Sequence, residues 1–175
     1  GEYSLSEIYN RGLKEADNNI VVFLHHDLTV ETKAWGSKIL KIFDKNPEYG
    51  VIGVAGTKYM SESGRWWDDK TKMYGRVLHT HQGKTWLSAY SDDLGNNIED
   101  VVIVDGLFFA VNKKTIKHEF DESFKGFHFY DVSFCFRNHV SGVNIGVTTQ
   151  IRVNHQSIGM TNESWEENRG LFVKK

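Results

Sequence analysis

Five apolar residues, Ile20-Val21-Val22-Phe23-Leu24, run directly into His25-His26-Asp27. A short run of this kind, mostly β-branched or aromatic, predicts a strand buried on both faces, as in a parallel sheet covered by helices. In open α/β sheets, ligands bind in the crevice beyond the carboxyl ends of the strands. Two imidazoles and a carboxylate therefore stand where such a fold builds its active site.

The flanking sequence fits that frame. Ser4–Ala16 has helical spacing, with Leu5, Ile8, Tyr9, Gly12, Leu13 and Ala16 on one face and Ser4 and Glu7 in capping-box register. A second helix is expected over Lys33–Lys45 from the spacing of Trp35, Ile39, Ile42 and Phe43, and Asn46-Pro47 ends it. Val51–Ala55 is the next buried strand, and strand, helix, strand with a buried sheet marks an α/β fold. Turn formers crowd the stretch from Gly56 to Asp100. It predicts a hairpin-rich insertion at the sheet edge, with strands near Gly75–His79 and Thr85–Ala89 and with Trp66, Trp67 and Trp86 as aromatic platforms. Val101–Val104 and Leu107–Val111 return to the core around Asp105-Gly106, a break that signals close backbone or ligand approach. One or two helical turns are expected over Lys113–His118, and a helix from Tyr130 or Asp131 to Val140 with Gly142 just past its end. A last strand or pair lies in Asn144–Val153, and a short helix surrounds Trp165.

Length and charge narrow the function. A chain of 175 residues fits one domain with one substantial core. A net charge of -2 without a basic stripe argues against nucleic acid as the main partner. No apolar run approaches the roughly 20 residues of a membrane span. The lone cysteine, Cys135, cannot form an internal disulfide, so a reducing cytoplasm is the expected compartment, with the membrane surface as a second setting.

Five segments, in order, resemble family-2-type glycosyltransferases of the GT-A fold. Tyr9-Asn10-Arg11-Gly12 precedes the strand that ends in His25-His26-Asp27, where the family has a helical Asn-x-Gly and then an Asp-x-Asp metal motif. Val104-Asp105-Gly106-Leu107-Phe108 looks like the Gly-containing strand beside the acceptor. Phe120-Asp121-Glu122, followed by Tyr130-Asp131-Val132-Ser133-Phe134-Cys135-Phe136-Arg137, is similar to a Phe-Asp-Glu segment and a Glu-Asp-x-Asp-Leu-x-x-Arg helix. Asn154-His155-Gln156-Ser157-Ile158-Gly159 resembles the late His-x-x-x-Gly element.

The resemblance implies a GT-A-like α/β domain over residues 1–175, with a mostly parallel mixed sheet flanked by helices. It implies transfer of a sugar from a nucleotide-sugar donor to a carbohydrate or other hydroxyl acceptor, by a single inverting displacement with a divalent metal, Mn or Mg. Asp27 matches the last carboxylate of the metal motif, His25 replaces the first, and His155 matches an imidazole near the metal or diphosphate. Asn10, His25 and Asp27 would face the donor, and Asp105, Gly106 and Tyr130 the acceptor. Asp131 would be the general base; Tyr130 and Ser133 stand where the family commonly has further carboxylates. The family places a strand before the first helix, so an N-terminally truncated domain is expected, with the base pocket outside this chain.

Local alternatives stay open for several of these residues. Asp27 and Asp105 suit turns, Asp131 suits a helix cap, and Asn10 and Gly12 suit packing against the strand. His26 alternates away from His25 and Asp27, and Arg137 is expected to pair with a carboxylate. Trp66 and Trp67 suit either sugar stacking or hairpin packing, and His79-x-His81 shares a strand face without a third ligand nearby. The rival functions are a catalytically silent nucleotide- or carbohydrate-binding module and a metal-dependent hydrolase built on His25, Asp27 and His155.

Overall fold

The computed structural model describes residues 3–159 and 161–175. In chain order the elements are α1 (Leu5–Glu15), β1 (Ile20–Leu24), β2 (Leu28–Val30), α2 (Trp35–Lys45), β3 (Tyr49–Gly53), β4 (Ala55–Thr57), β5 (Met73–His81), β6 (Lys84–Ala89), β7 (Glu99–Val101), β8 (Ile103–Val104), β9 (Phe108–Asn112), α3 (Tyr130–Val140), β10 (Asn144–Val147), β11 (Val153–His155) and α4 (Glu163–Val173). Both ends of α1 and the end of α3 are closed by specific hydrogen bonds. Ser4 Oγ accepts from the Glu7 N–H and the Glu7 carboxylate accepts from the Ser4 N–H, which completes the capping box of α1. Lys113 Nζ closes the other end by donating to the Ala16 carbonyl at 2.7 Å. At the end of α3, the Gly142 N–H reaches the His139 carbonyl and the Val143 N–H reaches that of Asn138, a Schellman turn. Gly142, at φ 82°, supplies the left-handed step it needs.

The main sheet has the order β1-β9-β3-β10-β7. Strand β9 is its centre of burial: Phe109 and Val111 face the α1 and α3 side, while Phe108 and Ala110 face α2. All four are fully buried, so this run is covered on both faces as a three-layer fold requires. The strand that dominates the sequence, β1, sits instead at the sheet edge. It pairs antiparallel with β9, from Ile20↔Asn112 to Leu24↔Phe108, and of its residues only Phe23 is buried. The expectation of a doubly buried strand in a parallel sheet fails there, because an apolar run does not specify the sense of its pairing. The strand–helix–strand unit survives: β1 and β3 both run antiparallel to β9, hence parallel to each other, with α2 between them in sequence.

The other sheet has the order β2-β11-β5-β4-β8, with β6 on β5. Of the described pairings, β3 with β10 and β5 with β11 are parallel and the rest are antiparallel, so the α/β sheet is mixed but not mostly parallel. The hairpin-rich segment forms the middle of this second sheet, where an edge decoration was expected. Its β5–β6 turn carries Gln82 and Gly83, both at positive φ, as a tight hairpin requires. Val51–Ala55 divides into β3 and β4, which lie in different sheets. Ile8, expected on the buried face of α1, is 49% exposed. No helix among the described residues is long and apolar enough to cross a membrane.

Lys113–His118 makes a single hydrogen-bonded turn, with the Thr115 and Ile116 N–H groups both reaching the Asn112 carbonyl, and does not continue as a helix. Asn138, wholly buried on α3, holds it there. Its Oδ1 accepts from the N–H groups of Lys117 (2.8 Å) and His118 (3.1 Å), and its Nδ2 donates to the carbonyls of His118 and Phe134, both at 3.0 Å. A local propensity for helix thus loses to a side chain twenty residues away. Asn138→Ala removes these bonds from half-buried backbone groups and is expected to cost about 2 kcal/mol. Urea denaturation should show a lower midpoint at an unchanged slope.

Candidate active site

The two sheets meet at the carboxyl end of β1. The His25 N–H donates to the Leu107 carbonyl at 3.0 Å, extending the β1–β9 ladder by one rung. Asp27 lies between His25 and β2, and β2 pairs with β11 so that Leu28 stands opposite His155. The Gln156 N–H then donates to the Asp27 carbonyl at 2.9 Å. Strand register alone therefore gathers His25, Asp27 and His155. One potential ligand atom from each lies within 4.8 Å of the others. His155 Nε2 stands 3.3 Å from Asp27 Oδ1 and 3.1 Å from Ser157 Oγ. His26 is exposed and outside the cluster, as its alternation implies.

The electrostatics suit cation binding. Burial lowers the pKa of both His25 and His155, outweighing the neighbouring carboxylates, so both imidazoles keep a lone pair at neutral pH. Burial opposes ionisation of Asp27, but the Ser157 hydroxyl and His155 outweigh it and hold the carboxyl below its ordinary value. Two neutral imidazoles and one carboxylate form a donor set for a borderline divalent ion.

A second constellation stands where β8 turns into β9. Phe129, buried at φ 64°, turns the chain so that Tyr130 and Asp131 open α3 beneath that turn. Asp131 Oδ2 accepts from the Gly106 N–H and Oδ1 from the Val132 N–H, both at 2.8 Å. Burial pushes the Asp131 carboxyl up to about 6, and the charge of Asp105 adds to the rise against those two N–H bonds. Asp105 is itself raised by burial, against the bond it accepts from the Leu107 N–H at 3.0 Å. The Tyr130 hydroxyl lies 2.9 Å from His25 Nε2, so it links this constellation to the first. A Cβ on Gly106 would sit 2.0 Å from the Tyr130 hydroxyl oxygen and 2.9 Å from Asp131 Oδ2; only glycine admits both side chains.

Both constellations open on one cavity of about 1250 Å³, lined by His25 and His155 on one side and by Asp105, Tyr130 and Asp131 on another. Of the residues the sequence proposes, Asp27 and Gly106 stand behind this lining, in contact with His155 and Asp131, and Asn10 is held away from it. Its amide exchanges two hydrogen bonds with the Phe120 backbone, at 2.8 and 2.9 Å, and donates to Glu122. Asn10 thus fastens α1 to the Phe120-Asp121-Glu122 segment. Asp121 is a further clamp: burial opposes its ionisation, but Lys175 and Ser123 hold it down at about 2, and Arg137 lies 3.9 Å away. Arg137 accordingly pairs with a carboxylate.

Several lining residues escape the sequence reading. His79 and His81 do share the strand face that lines the cavity, and the His79 ring stacks on Trp86 and stands 5.7 Å from that of His155. The alternation of the two histidines was the visible signal; the pairing of His79 with His155 between β5 and β11 was not. Phe127 and Trp165 also reach the cavity, from segments with no recognisable motif.

A model of the Glycosyltransferase like family matches residues 1–175. Among solved structures, the fold matches GalNAc-T7, crystallised with UDP, GalNAc and Mn2+, at a TM-score of 0.64 and 10% identity. The match covers 98% of this chain and 34% of that one, so the chain spans about a third of the GalNAc-T7 length. A197 from STIV matches at a TM-score of 0.48 and 13% identity, covering 87% of this chain and 65% of that one. No curated protein matches in sequence at a significant level. At such identities the likeness establishes the fold, which is that of the GT-A glycosyltransferases.

Two substitutions separate the roles just described. Gly106→Ala displaces Tyr130 and Asp131 together, and is expected to cut turnover by about 10²-fold, measured as steady-state kcat. Asn10→Ala removes both bonds to the Phe120 backbone and should cost about 2 kcal/mol in urea denaturation.

Proposed function

This chain belongs to the Glycosyltransferase like family, and we propose that it moves a sugar from a nucleotide-sugar donor to a hydroxyl acceptor, with inversion, in the cavity between its two constellations. The observation that carries this reading is the clustering of Asp27 with His25 and His155, two imidazoles that line the same cavity as Asp131. His25, Asp27 and His155 would hold a divalent ion, which when bound supplies positive charge for the leaving diphosphate. GalNAc-T7 is crystallised with UDP and Mn2+, which makes both the first probes to try.

The chain's own groups then divide the work. Asp131, held by two backbone N–H groups, accepts the proton of the acceptor hydroxyl. The freed oxygen bonds to the anomeric carbon from the face opposite the diphosphate, the bond from that carbon to the phosphate oxygen breaks, and the electron pair leaves with the nucleoside diphosphate. Asp105 and Gly106 shape the acceptor side, and the Tyr130 hydroxyl fixes the His25 ring through Nε2.

Calorimetry with UDP and MnCl2 tests the donor half. Asp27→Asn is expected to weaken metal-dependent nucleotide binding by about 10- to 100-fold, and binding that persists without metal would overturn the ligand assignment. For the base, kcat/KM should rise with pH, because Asp131 must be ionised to take a proton, and level off above about 6. Asp131→Asn should remove that limb and lower kcat by about 10²- to 10⁴-fold.

A further inference from the structure

The wall of the cavity beside Asp131 is aromatic, and its parts differ in how they are held. Trp66 is buried at 8% exposure and meets Trp67 edge-on, with ring centroids 5.9 Å apart. Trp165, from α4, is also buried and lies 5.5 Å from Trp67 on another side. Arg65 lies over Trp165 at 5.4 Å and pairs with Glu166 on the same helix, while Arg169 donates to the Ser63 carbonyl at 2.9 Å. These contacts pin the segment bearing Trp66 and Trp67 to α4. Trp67 is thereby fixed by two indoles yet remains 36% exposed. Phe127 lines the same cavity and is 73% exposed, four residues before Asp131.

Rigid, partly exposed aromatic rings in a cavity make a surface for a flat, partly apolar ligand. The lining also carries hydrogen-bonding groups, among them Lys70 and His128. That mixture matches a pyranose ring, whose axial C–H face is apolar and whose rim is hydroxylated. An alkyl chain would leave the polar groups unmatched. Trp86 is not an equivalent platform, because its ring is already stacked on His79 on the imidazole side of the cavity.

We propose that Trp67 and Phe127 form a stacking subsite for a pyranose ring, which makes the acceptor a glycan or glycoside; its designation as the acceptor site rests on the transfer reading above. Trp66 and Trp165 are positioning residues that hold the Trp67 ring in place.

The test is saturation-transfer NMR of the full chain with the methyl α- and β-pyranosides of glucose, galactose, mannose and their 2-acetamido counterparts, with affinities from intrinsic tryptophan fluorescence. At least one glycoside should bind, with saturation strongest on the protons of one ring face. Trp67→Ala and Phe127→Ala should each weaken it by about tenfold, and Trp67→Phe should restore most of the affinity. The proposal is overturned if no glycoside binds, if binding ignores both alanine substitutions in folded protein, or if 1-octanol binds in place of the sugars with the same sensitivity. Metal-dependent UDP binding, measured on the same samples, keeps the two readings apart. Its loss alongside intact glycoside binding defeats the transfer reading and leaves the sugar subsite standing. Intact UDP binding without glycoside binding defeats the subsite alone.

Discussion

The hydrogen bond from the Gly106 N–H to Asp131 Oδ2 is the contact on which the site depends. It joins the turn between β8 and β9 to the first residues of α3, which lie 25 positions apart in sequence. A Cβ at Gly106 would crowd the accepting oxygen, and the same vacancy admits the Tyr130 hydroxyl. Tyr130 in turn holds His25, at the end of β1. One missing Cβ therefore sets the spacing between the carboxylate that would take a proton and the imidazole that would face a cation. Burial of Asp131 beside Asp105 raises its carboxyl toward the range in which a base works near neutral pH.

The two sheets divide the labour. The main sheet, buried on both faces around β9, fixes the end of β1 against the start of β9. The second sheet brings β11 and β5 across that end and adds His155, His79 and His81. The cation cluster is thus an inter-sheet feature: His25 follows a strand of one sheet, and His155 ends a strand of the other. Helices α3 and α4 then close the opposite side with Asp131 and the indole of Trp165.

The sequence made the local devices legible. Ser4 and Glu7 close the capping box, Gly142 ends α3, and the apolar run at residues 20–24 is a strand. The motif order also led to the GT-A fold, which the structural match bears out. What it hid were long-range partners. Antiparallel pairing of β1 with β9 is invisible in five apolar residues, and this turned an expected parallel, doubly buried strand into an edge. Asn138 overrides the helical character of residues 113–118 from another element. Asn10 fits the expected Asn-x-Gly position, yet its amide is spent on the Phe120 backbone, as only tertiary contacts could reveal. The Trp67 platform needed the packing of Trp165, nearly a hundred residues onward, to separate it from a packed hairpin.

His25, standing where the resembled motif has a carboxylate, would join Asp27 and His155 in holding a cation against the donor. Electron spin-echo spectroscopy of Mn2+ bound with UDP, on protein carrying 15N-labelled histidine, addresses this directly. Coupling of the manganese to imidazole nitrogen, lost on His25→Ala plus His155→Ala, is the predicted result. Manganese that binds with the nucleotide but shows no histidine coupling would contradict the account.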